Sequence, residues 1–267
     1  MVRAGTILPD TNRTTLSHDN AFAGKVALIV GGTRGIGHAV AIALEARGCK
    51  TFIVSRTAGN FDEISAESKN VGERISCDVR IAADVDAAFQ QVVDRHGRID
   101  IVVNSAGIGR SAASKNRVEP AMNLSDDEWQ EVCDTNLRGM FLVARAAAKH
   151  MIPQRSGEIL NISSARGAIR GLPFASGYCA TKMATRAMFQ SLAAELAPFG
   201  IRAWSLLPDA VNTGLIADTN LAKRGAIDVN QMGSLIADLL ALPTDAVVDD
   251  LLLAPFMPSH TRAEGIL

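Results

Sequence analysis

Short apolar runs alternate with longer segments of helical periodicity from residue 25 onward. Seven apolar runs have the length of strands, and they lie at 25–31, 50–55, 73–77, 99–104, 157–163, 201–207 and 247–254. Most are apolar throughout, as is typical of strands that are covered on both faces. Five intervening segments repeat apolar residues at helical spacing, at 36–47, 84–96, 126–151, 178–197 and 232–242. A glycine or proline that ends a helix follows each of them, namely Gly48, Gly97, Pro153, Pro198 and Pro243.

This alternation predicts βαβ units, and therefore an α/β fold of about seven parallel strands with helices on both faces. We expect one domain over residues 25–267, preceded by a flexible arm over residues 1–24. Two further irregular stretches, 108–125 and 209–231, follow strands at the carboxyl edge of the sheet. Open α/β folds bind ligands at that edge, so these stretches are the predicted substrate loops.

Composition and charge exclude several classes of protein. The 267 residues are 48% hydrophobic and 21% charged, which excludes a largely disordered chain. The 27 basic and 28 acidic residues give a formal net charge of -1, so no overall field favours nucleic acid or an anionic membrane. No uncharged apolar run reaches the roughly 18 residues of a membrane helix, and residues 1–20 lack the apolar core of a secretory signal. Four scattered cysteines without a C-x-x-C pair argue against a disulfide framework or a metal site, and a cytoplasmic location is expected.

A glycine-rich loop joins the first predicted strand to the first predicted helix, with the sequence Val30-Gly31-Gly32-Thr33-Arg34-Gly35-Ile36-Gly37. Glycines there permit a tight turn and a close approach of the backbone to a pyrophosphate, while the helix N-terminus supplies N–H donors. The spacing G-x-x-x-G-x-G differs from the common G-x-G-x-x-G fingerprint. Taken alone, the loop is also compatible with an ordinary strand-to-helix turn.

Three later segments extend the pattern: Asn104-Ser105-Ala106-Gly107, Asn136-Leu137-Arg138-Gly139, and Tyr178-Cys179-Ala180-Thr181-Lys182 preceded by Ser163-Ser164. In this order and at these distances, the chain resembles the short-chain dehydrogenase/reductase family from residue 25 to about residue 213. The resemblance implies a doubly wound Rossmann fold with seven parallel strands, a nicotinamide cofactor and a small-molecule carbonyl or alcohol substrate.

The resemblance also implies which residues bind the cofactor. Gly31, Gly35, Ile36 and Gly37 resemble the pyrophosphate loop, together with the neighbouring Thr33 and Arg34. Asp78 and Val79 resemble the pair that contacts adenine, and Asn104, Ala106 and Gly107 resemble a turn beside the adenine ribose. For Asn104 a purely turn-forming role is the alternative. The remaining predicted contacts are Pro208, Val211, Thr213, Tyr178 and Lys182.

The end of the second predicted strand indicates the choice of cofactor. A free ribose 2′-hydroxyl is usually held by an acidic residue there, whereas a 2′-phosphate favours a guanidinium group. Ser55 stands where the acid would fall, Arg56 follows it, and Arg34 lies in the glycine loop. With no competing carboxylate expected, these residues predict NADP(H).

Tyr178 and Lys182 are four residues apart on a predicted helix, so their side chains share one face. A neighbouring ammonium group stabilises phenolate, and we therefore expect it to lower the pKa of Tyr178. By resemblance, Tyr178 exchanges a proton with the substrate oxygen, Lys182 also holds the nicotinamide ribose, and Ser164 hydrogen-bonds the same oxygen. Ser163 is the lesser candidate for that serine. Asn136 resembles an asparagine at a local helix distortion that holds a water for proton relay.

Three positions depart from the family pattern. Val30 replaces a threonine, Asp209 replaces the glycine of a Pro-Gly pair, and the chain ends without the Asp-Gly-Gly of many acyl-carrier-protein reductases. An aspartate at 209 is expected to alter the loop or to repel an anionic substrate. Ile108, Leu172, Phe174 and Leu215 suggest apolar pocket walls. Arg110, Arg166 and Arg170 are expected either to meet a carboxylate or to stay solvated.

The sequence therefore predicts an NADPH-dependent oxidoreductase acting on a ketone, aldehyde or 3-oxo compound. The alternative is a non-catalytic nucleotide-binding regulator that keeps the fold, and a dehydratase or epimerase is a further enzymatic alternative. Small and apolar residues of the helices at 126–151 and 178–197, among them Ala146, Ala147, Met183 and Ala187, exceed one sheet-facing stripe. They predict a homodimer or homotetramer.

Overall fold

Seven parallel strands form one sheet in the order β3-β2-β1-β4-β5-β6-β7. The computed structural model describes residues 20–56, 71–109, 120–214, 225–243, 245–246 and 248–255. The strands are β1 (Val26–Val30), β2 (Lys50–Ser55), β3 (Glu73–Ser76), β4 (Ile101–Asn104), β5 (Gly157–Ile162), β6 (Ile201–Pro208) and β7 (Leu251–Leu253). The strand order reverses direction between β1 and β4, which creates a crevice at their carboxyl ends.

Helices cover both faces of this sheet. They are α1 (Gly35–Glu45), α2 (Ala82–His96), α3 (Asp126–Cys133), α4 (Gly139–Gln154), α5 (Ala165–Ile169), α6 (Ser176–Leu196) and α7 (Val229–Leu240). Alternate residues of β1 point to opposite faces, so that Leu28 joins the core under α2, α4 and α6 while Ile29 joins the core under α1 and α7. The predicted doubly wound Rossmann fold with seven parallel strands is confirmed.

The long helix predicted over 126–151 is interrupted. A π-helical segment, Asp134–Arg138, separates α3 from α4, and the Gly139 N–H bonds to the Asp134 carbonyl five residues back. The sequence predicted that Pro153 ends the helix, but Pro153 lies inside α4. The helix tolerates it because Pro153 is one residue before the last and removes only one hydrogen bond. The helix ends instead at Arg155, whose backbone is left-handed with φ 56°.

Several other elements differ from the sequence prediction. The α5 helix was not predicted, because five residues are too few to show a periodic pattern. The last strand spans only Leu251–Leu253, and α7 begins at Val229, where Asp228 caps it by accepting the N–H groups of Asn230 and Gln231. No helix within the described ranges is long and apolar enough to cross a membrane.

The packed region begins before Lys25. Residues 1–19 of the predicted arm lie outside the described residues, but Phe22 is buried in the core under α1 and donates its N–H to the Arg47 carbonyl at 3.0 Å. The flexible arm predicted up to residue 24 is therefore wrong for Phe22, whose apolar ring is removed from water by that core.

Candidate active site

The glycine loop lies against the turn that follows β4. The Gly31 N–H bonds to the Val54 carbonyl at 2.9 Å, and the backbone at Gly31 is left-handed with φ +78°. A Cβ at Gly31 would lie 2.6 Å from the backbone nitrogen of Ala106. Only glycine permits both this conformation and this close approach. The loop therefore meets the ends of β1, β2 and β4 at the crevice.

The N-terminus of α1 opens toward the same crevice. Its N-cap residue, Arg34, makes no side-chain capping bond, and the first turn holds no acidic residue. Within the described residues, the first N–H groups of this helix thus have no acceptor from its N-cap side chain, and such a terminus is suited to bind an anion. Thr33 and Ile36 are partly buried, and Gly37 packs on the Gly31 carbonyl. This uncapped terminus fits the pyrophosphate of a dinucleotide.

The segment after β6 closes the other side of the loop. Pro208 ends β6, and the buried Val211 pairs with Ile227 in an isolated bridge. The methyl carbon of Thr213 lies 3.5 Å from the position that a Cβ on Gly35 would occupy. Thr213 and Gly35, distant in sequence, therefore line one site.

The end of β2 carries the residues predicted to choose the cofactor. Ser55 is partly exposed, and both Arg56 and Arg34 are exposed. The expectation that no carboxylate competes is wrong, because the Asp78 carboxylate interacts electrostatically with Arg56. Asp78 accepts from the Arg80 Nε at 2.9 Å and from an Arg80 Nη at 2.5 Å, and these bonds hold the pKa of Asp78 below its ordinary value despite partial burial.

Asn104 supports the turn rather than presenting its amide to the crevice. Its Oδ1 accepts the Ala106 N–H at 3.0 Å, and its Nδ2 lies 2.9 Å from the Met140 sulfur. The side chain is 1% exposed. The geometry favours the turn-forming interpretation. Val79 is likewise buried and packs against Gly139 at the start of α4.

Ser164 and Tyr178 come together at the end of β5. Ser164 is the N-cap of α5, and its Oγ accepts the Gly167 N–H at 3.0 Å. The Ser164 hydroxyl also hydrogen-bonds the Tyr178 side chain. A Cβ at Gly167 would lie 2.7 Å from the Tyr178 ring, so the glycine makes room for the ring. Ser163 is buried and donates to the Lys182 carbonyl at 3.4 Å, which leaves Ser164 as the serine that contacts the tyrosine.

Lys182 is buried beside this pair. Its Nζ donates to the Ile162 carbonyl at 2.9 Å and lies 5.8 Å from the centre of the Tyr178 ring. Burial lowers the pKa of Lys182 to about 8. Burial also raises the pKa of Tyr178, and the hydrogen bond from Ser164 offsets only part of that effect. The expected lowering of the Tyr178 pKa by Lys182 is therefore wrong for the protein chain alone, because desolvation outweighs a charge 5.8 Å away.

Asn136 lies in the π-helical segment, which is the kind of local helix distortion that the family resemblance implies at this residue. Its Oδ1 accepts the Ile108 N–H and its Nδ2 donates to the Ile108 carbonyl, both at 2.8 Å. The Nδ2 also lies 3.2 Å from the Thr181 Oγ1. Asn136 and Lys182 both approach Gly107, at 3.3 and 3.7 Å from where its Cβ would be. The four predicted catalytic residues therefore form one connected cluster.

Sequence reasoning missed two features of this site. Thr181 donates to the Tyr178 carbonyl at 2.8 Å and so links Asn136 to the tyrosine's helix turn; its place beside Lys182 was the only signal. Arg166 pairs with the Asp209 carboxylate at 2.7 Å, so its guanidinium is not simply solvated. The carboxylate that it meets belongs to the protein itself. Arg110 and Leu215 lie outside the described residues, and Phe174 is 58% exposed.

Known proteins resemble this chain in sequence and in fold. The chain matches the model of the short chain dehydrogenase family over residues 25–224. A 3-oxoacyl acyl-carrier-protein reductase of a Synechocystis species is 34% identical over 204 residues, which cover 75% of this chain and 79% of that protein.

Two crystal structures have a similar fold over most of this chain. A 3-ketoacyl acyl-carrier-protein reductase from Brucella melitensis, complexed with NADH, has a TM-score of 0.77 and 28% identity, covering 87% of this chain and 97% of its own. A metagenomic short-chain oxidoreductase in complex with NADP has a TM-score of 0.73 and 26% identity, covering 89% of this chain and 100% of its own. The chain therefore belongs to the short-chain dehydrogenase family of oxidoreductases.

Proposed function

We propose that this protein is an NADPH-dependent oxidoreductase that interconverts a carbonyl group and a secondary alcohol on a small molecule. The observation that carries the proposal is the hydrogen-bonded pair of Ser164 and Tyr178, with the Lys182 ammonium buried beside it. A hydroxyl pair next to a buried cation, at the carboxyl edge of the sheet, is suited to bind a carbonyl oxygen and to exchange a proton with it.

The cofactor, when bound, supplies or accepts the hydride. The Ser164 hydroxyl donates a hydrogen bond to the substrate oxygen and fixes it next to the tyrosine. In reduction, the Tyr178 hydroxyl gives its proton to that oxygen, and in oxidation the tyrosine oxygen takes the alcohol proton. The Lys182 ammonium stabilises the negative charge that develops on Tyr178 and would hold the nicotinamide ribose. Asn136 holds Ile108 in place, lies with Lys182 beside Gly107, and takes part in proton relay.

The preference for NADPH rests on two exposed guanidinium groups, those of Arg34 and Arg56, beside the end of β2. A 2′-phosphate adds close to two negative charges, which both groups attract. The Asp78 carboxylate partly offsets the positive charge of Arg56, but Asp78 is itself bound by Arg80. The two similar structures hold NADH and NADP respectively, so family membership leaves the choice to these side chains.

A cytoplasmic location completes the proposal. All four cysteines, Cys49, Cys77, Cys133 and Cys179, are unpaired thiols. Burial raises the pKa of both Cys49 and Cys77 to about 12, so neither is a ready nucleophile or metal ligand. A reducing compartment suits such a set of free thiols.

The experiment is NADPH oxidation with a panel of ketones, aldehydes and 3-oxo esters, comparing the wild type with Tyr178→Phe. We expect turnover by the wild type and a loss of about a hundredfold to ten-thousandfold in kcat for the variant, because the proton donor is removed. Cofactor affinity, measured by fluorescence titration, should change little. Tight NADPH binding with no turnover, unaffected by Tyr178→Phe, would instead identify the non-catalytic regulator.

A further inference from the structure

An arginine–aspartate pair lies beside the proposed catalytic residues and takes no part in the proton transfer. The Arg166 Nε donates to the Asp209 Oδ1 at 2.7 Å, and the two side chains are 32% and 20% exposed. The pair joins α5 to the segment after β6, across 43 residues of sequence. Asp209 is also the position at which the chain departs from the family's Pro-Gly pattern.

The backbone that carries the pair lies next to Ser164 and Tyr178. Arg166 stands two residues after Ser164, and the next residue, Gly167, packs against the Tyr178 ring. The helix α5 rests on β6 through a small buried cluster of Ala165, Ala168 and Leu207. The Asp209 N–H bonds to the Leu253 carbonyl at 2.7 Å, which fixes its backbone directly after Pro208. Both partners therefore come from rigid backbone that also carries Ser164 and the predicted cofactor contact Pro208.

The geometry of the pair leaves hydrogen-bonding capacity on both sides. Only the Arg166 Nε and the Asp209 Oδ1 bond to each other, so among the described residues the Arg166 Nη groups and the Asp209 Oδ2 have no protein partner. Donors and an acceptor thus stand side by side. The pair as a whole is neutral, so it offers no net attraction to an anion. An alcohol group, which both donates and accepts, matches this arrangement.

We propose that Arg166 and Asp209 form a specificity element that binds a hydroxyl group next to the reacting carbonyl, so that the preferred substrates are uncharged hydroxy ketones and the corresponding diols. The Asp209 Oδ2 accepts from the substrate hydroxyl, and an Arg166 Nη donates to it. This inference rests on the proposed carbonyl reduction. Asp209 was expected to alter the loop or to repel an anionic substrate, and the second alternative loses its basis because Arg166 neutralises the charge.

The test uses three substrates that differ only at C1: 1-hydroxy-2-butanone, butanone and 2-oxobutanoate. For the wild type with NADPH, we expect kcat/KM for the hydroxy ketone to exceed that for butanone by about tenfold or more, since hydrogen bonds to charged groups are involved. Arg166→Gln and Asp209→Asn should each lower this ratio by about tenfold while kcat/KM for butanone stays within about twofold. The comparison of ratios removes the intrinsic reactivity of each ketone. Thermal unfolding checks that both variants are folded.

Two further variants sharpen the test. Asp209→Gly leaves the Arg166 charge uncompensated and should raise kcat/KM for 2-oxobutanoate relative to butanone. Asp250→Asn is the matched control, because Arg186 and Asp250 form a similar pair at 2.6 Å with 33% and 15% exposure, between α6 and the start of β7. That variant should leave the ratio unchanged.

Turnover of ketones without a preference for the hydroxyl, or a ratio that survives both Arg166→Gln and Asp209→Asn, overturns this inference and leaves the proposed function standing. Absence of turnover with any carbonyl compound overturns both.

Discussion

At the scale of single residues, burial sets the chemistry of Lys182. Its pKa of about 8 means that the ammonium is present below that pH and is lost above it. Because we propose that this charge stabilises Tyr178 as it gives up its proton, we expect kcat for carbonyl reduction to be level below about pH 8 and to fall as the pH rises through that value. Steady-state rates from acid to alkaline pH measure this. The rate of alcohol oxidation should instead rise with pH. In that direction the tyrosine oxygen must be deprotonated to take the alcohol proton, and the pKa of Tyr178 is raised.

A surface variant, Lys149→Ala, which removes a lysine paired with Asp86 between α2 and α4, should keep the same pH profile. A reduction rate that is level well above pH 8 would contradict the role given to the Lys182 charge.

Arg56 is proposed to bind the 2′-phosphate of NADPH. Arg56→Ala should raise KM for NADPH by about tenfold to a hundredfold, because one charge-assisted bond to the 2′-phosphate is lost, and should change KM for NADH little. Ser55→Asp combined with Arg56→Ala should reverse the preference for NADPH. Initial rates with both cofactors measure this. Arg155→Ala, an exposed arginine at the end of α4, is the control. Equal efficiency of the wild type with the two cofactors would refute the assignment.

At the scale of elements, Asp100 ties together three segments just before β4. Its carboxylate accepts from Lys25 at 3.0 Å, from the Val26 N–H at 3.0 Å and from Arg98 at 2.5 and 2.9 Å. Burial alone would raise the pKa of Asp100, but these bonds outweigh burial and hold it below its ordinary value of 3.8. The stabilisation that the ionised Asp100 provides is therefore complete above about pH 4, and it is lost as the pH falls through the lowered pKa of Asp100.

Asp100→Asn should lower the free energy of unfolding by about 1 to 3 kcal/mol near pH 7, since hydrogen bonds to a buried charge are weakened. The difference from the wild type should shrink as the pH falls below about 4. Urea unfolding at both pH values measures it. Asp94→Asn, at an exposed position of α2, should have little effect at either pH. A difference that is the same at neutral and acidic pH would show that the charge of Asp100 is unimportant.

The π-helical segment between α3 and α4 depends on contacts with neighbouring elements. The apolar pattern runs through residues 126–151 without a break, yet the π-helical segment turns Asn136 toward Ile108 and Thr181. A single extra residue per turn leaves no signature in hydrophobic spacing, because the flanking helices each keep their own period. The position of Asn136 is set by its partners on the β4 turn and α6.

At the scale of the whole molecule, an apolar surface on α3, α4 and α6 is left uncovered. Trp129, Phe141 and Met183 are 40%, 47% and 41% exposed. Ala146 and Ala147 were predicted to belong to such a surface, and this part of the prediction is wrong, because both are buried within the protomer. The exposed side chains still predict a symmetric homo-oligomer, since large apolar residues on neighbouring helices gain from removal from water.

Phe141→Glu combined with Met183→Glu should convert the predicted oligomer to a monomer at micromolar concentration, because two carboxylates per subunit would have to be desolvated. Light scattering measures the mass. Leu252→Glu, which changes an exposed residue of β7, is the control. A wild-type protein that is already monomeric would remove the prediction.

The sequence by itself determined the parallel α/β architecture and the glycine loop, because these depend on local periodicity and on short motifs within single turns. The four residues proposed as catalytic were predicted from the resemblance of short motifs to the short-chain dehydrogenase/reductase family. Only the tertiary structure decided that Ser164 rather than Ser163 meets Tyr178, that Asn104 serves its own turn, and that Asp209 is neutralised by Arg166. It also decided that desolvation raises the pKa of Tyr178. The physical reason is the same in each case: hydrogen-bond partners and burial depend on which strand ends become neighbours, and the order of strands across the sheet brings together residues that lie far apart along the chain.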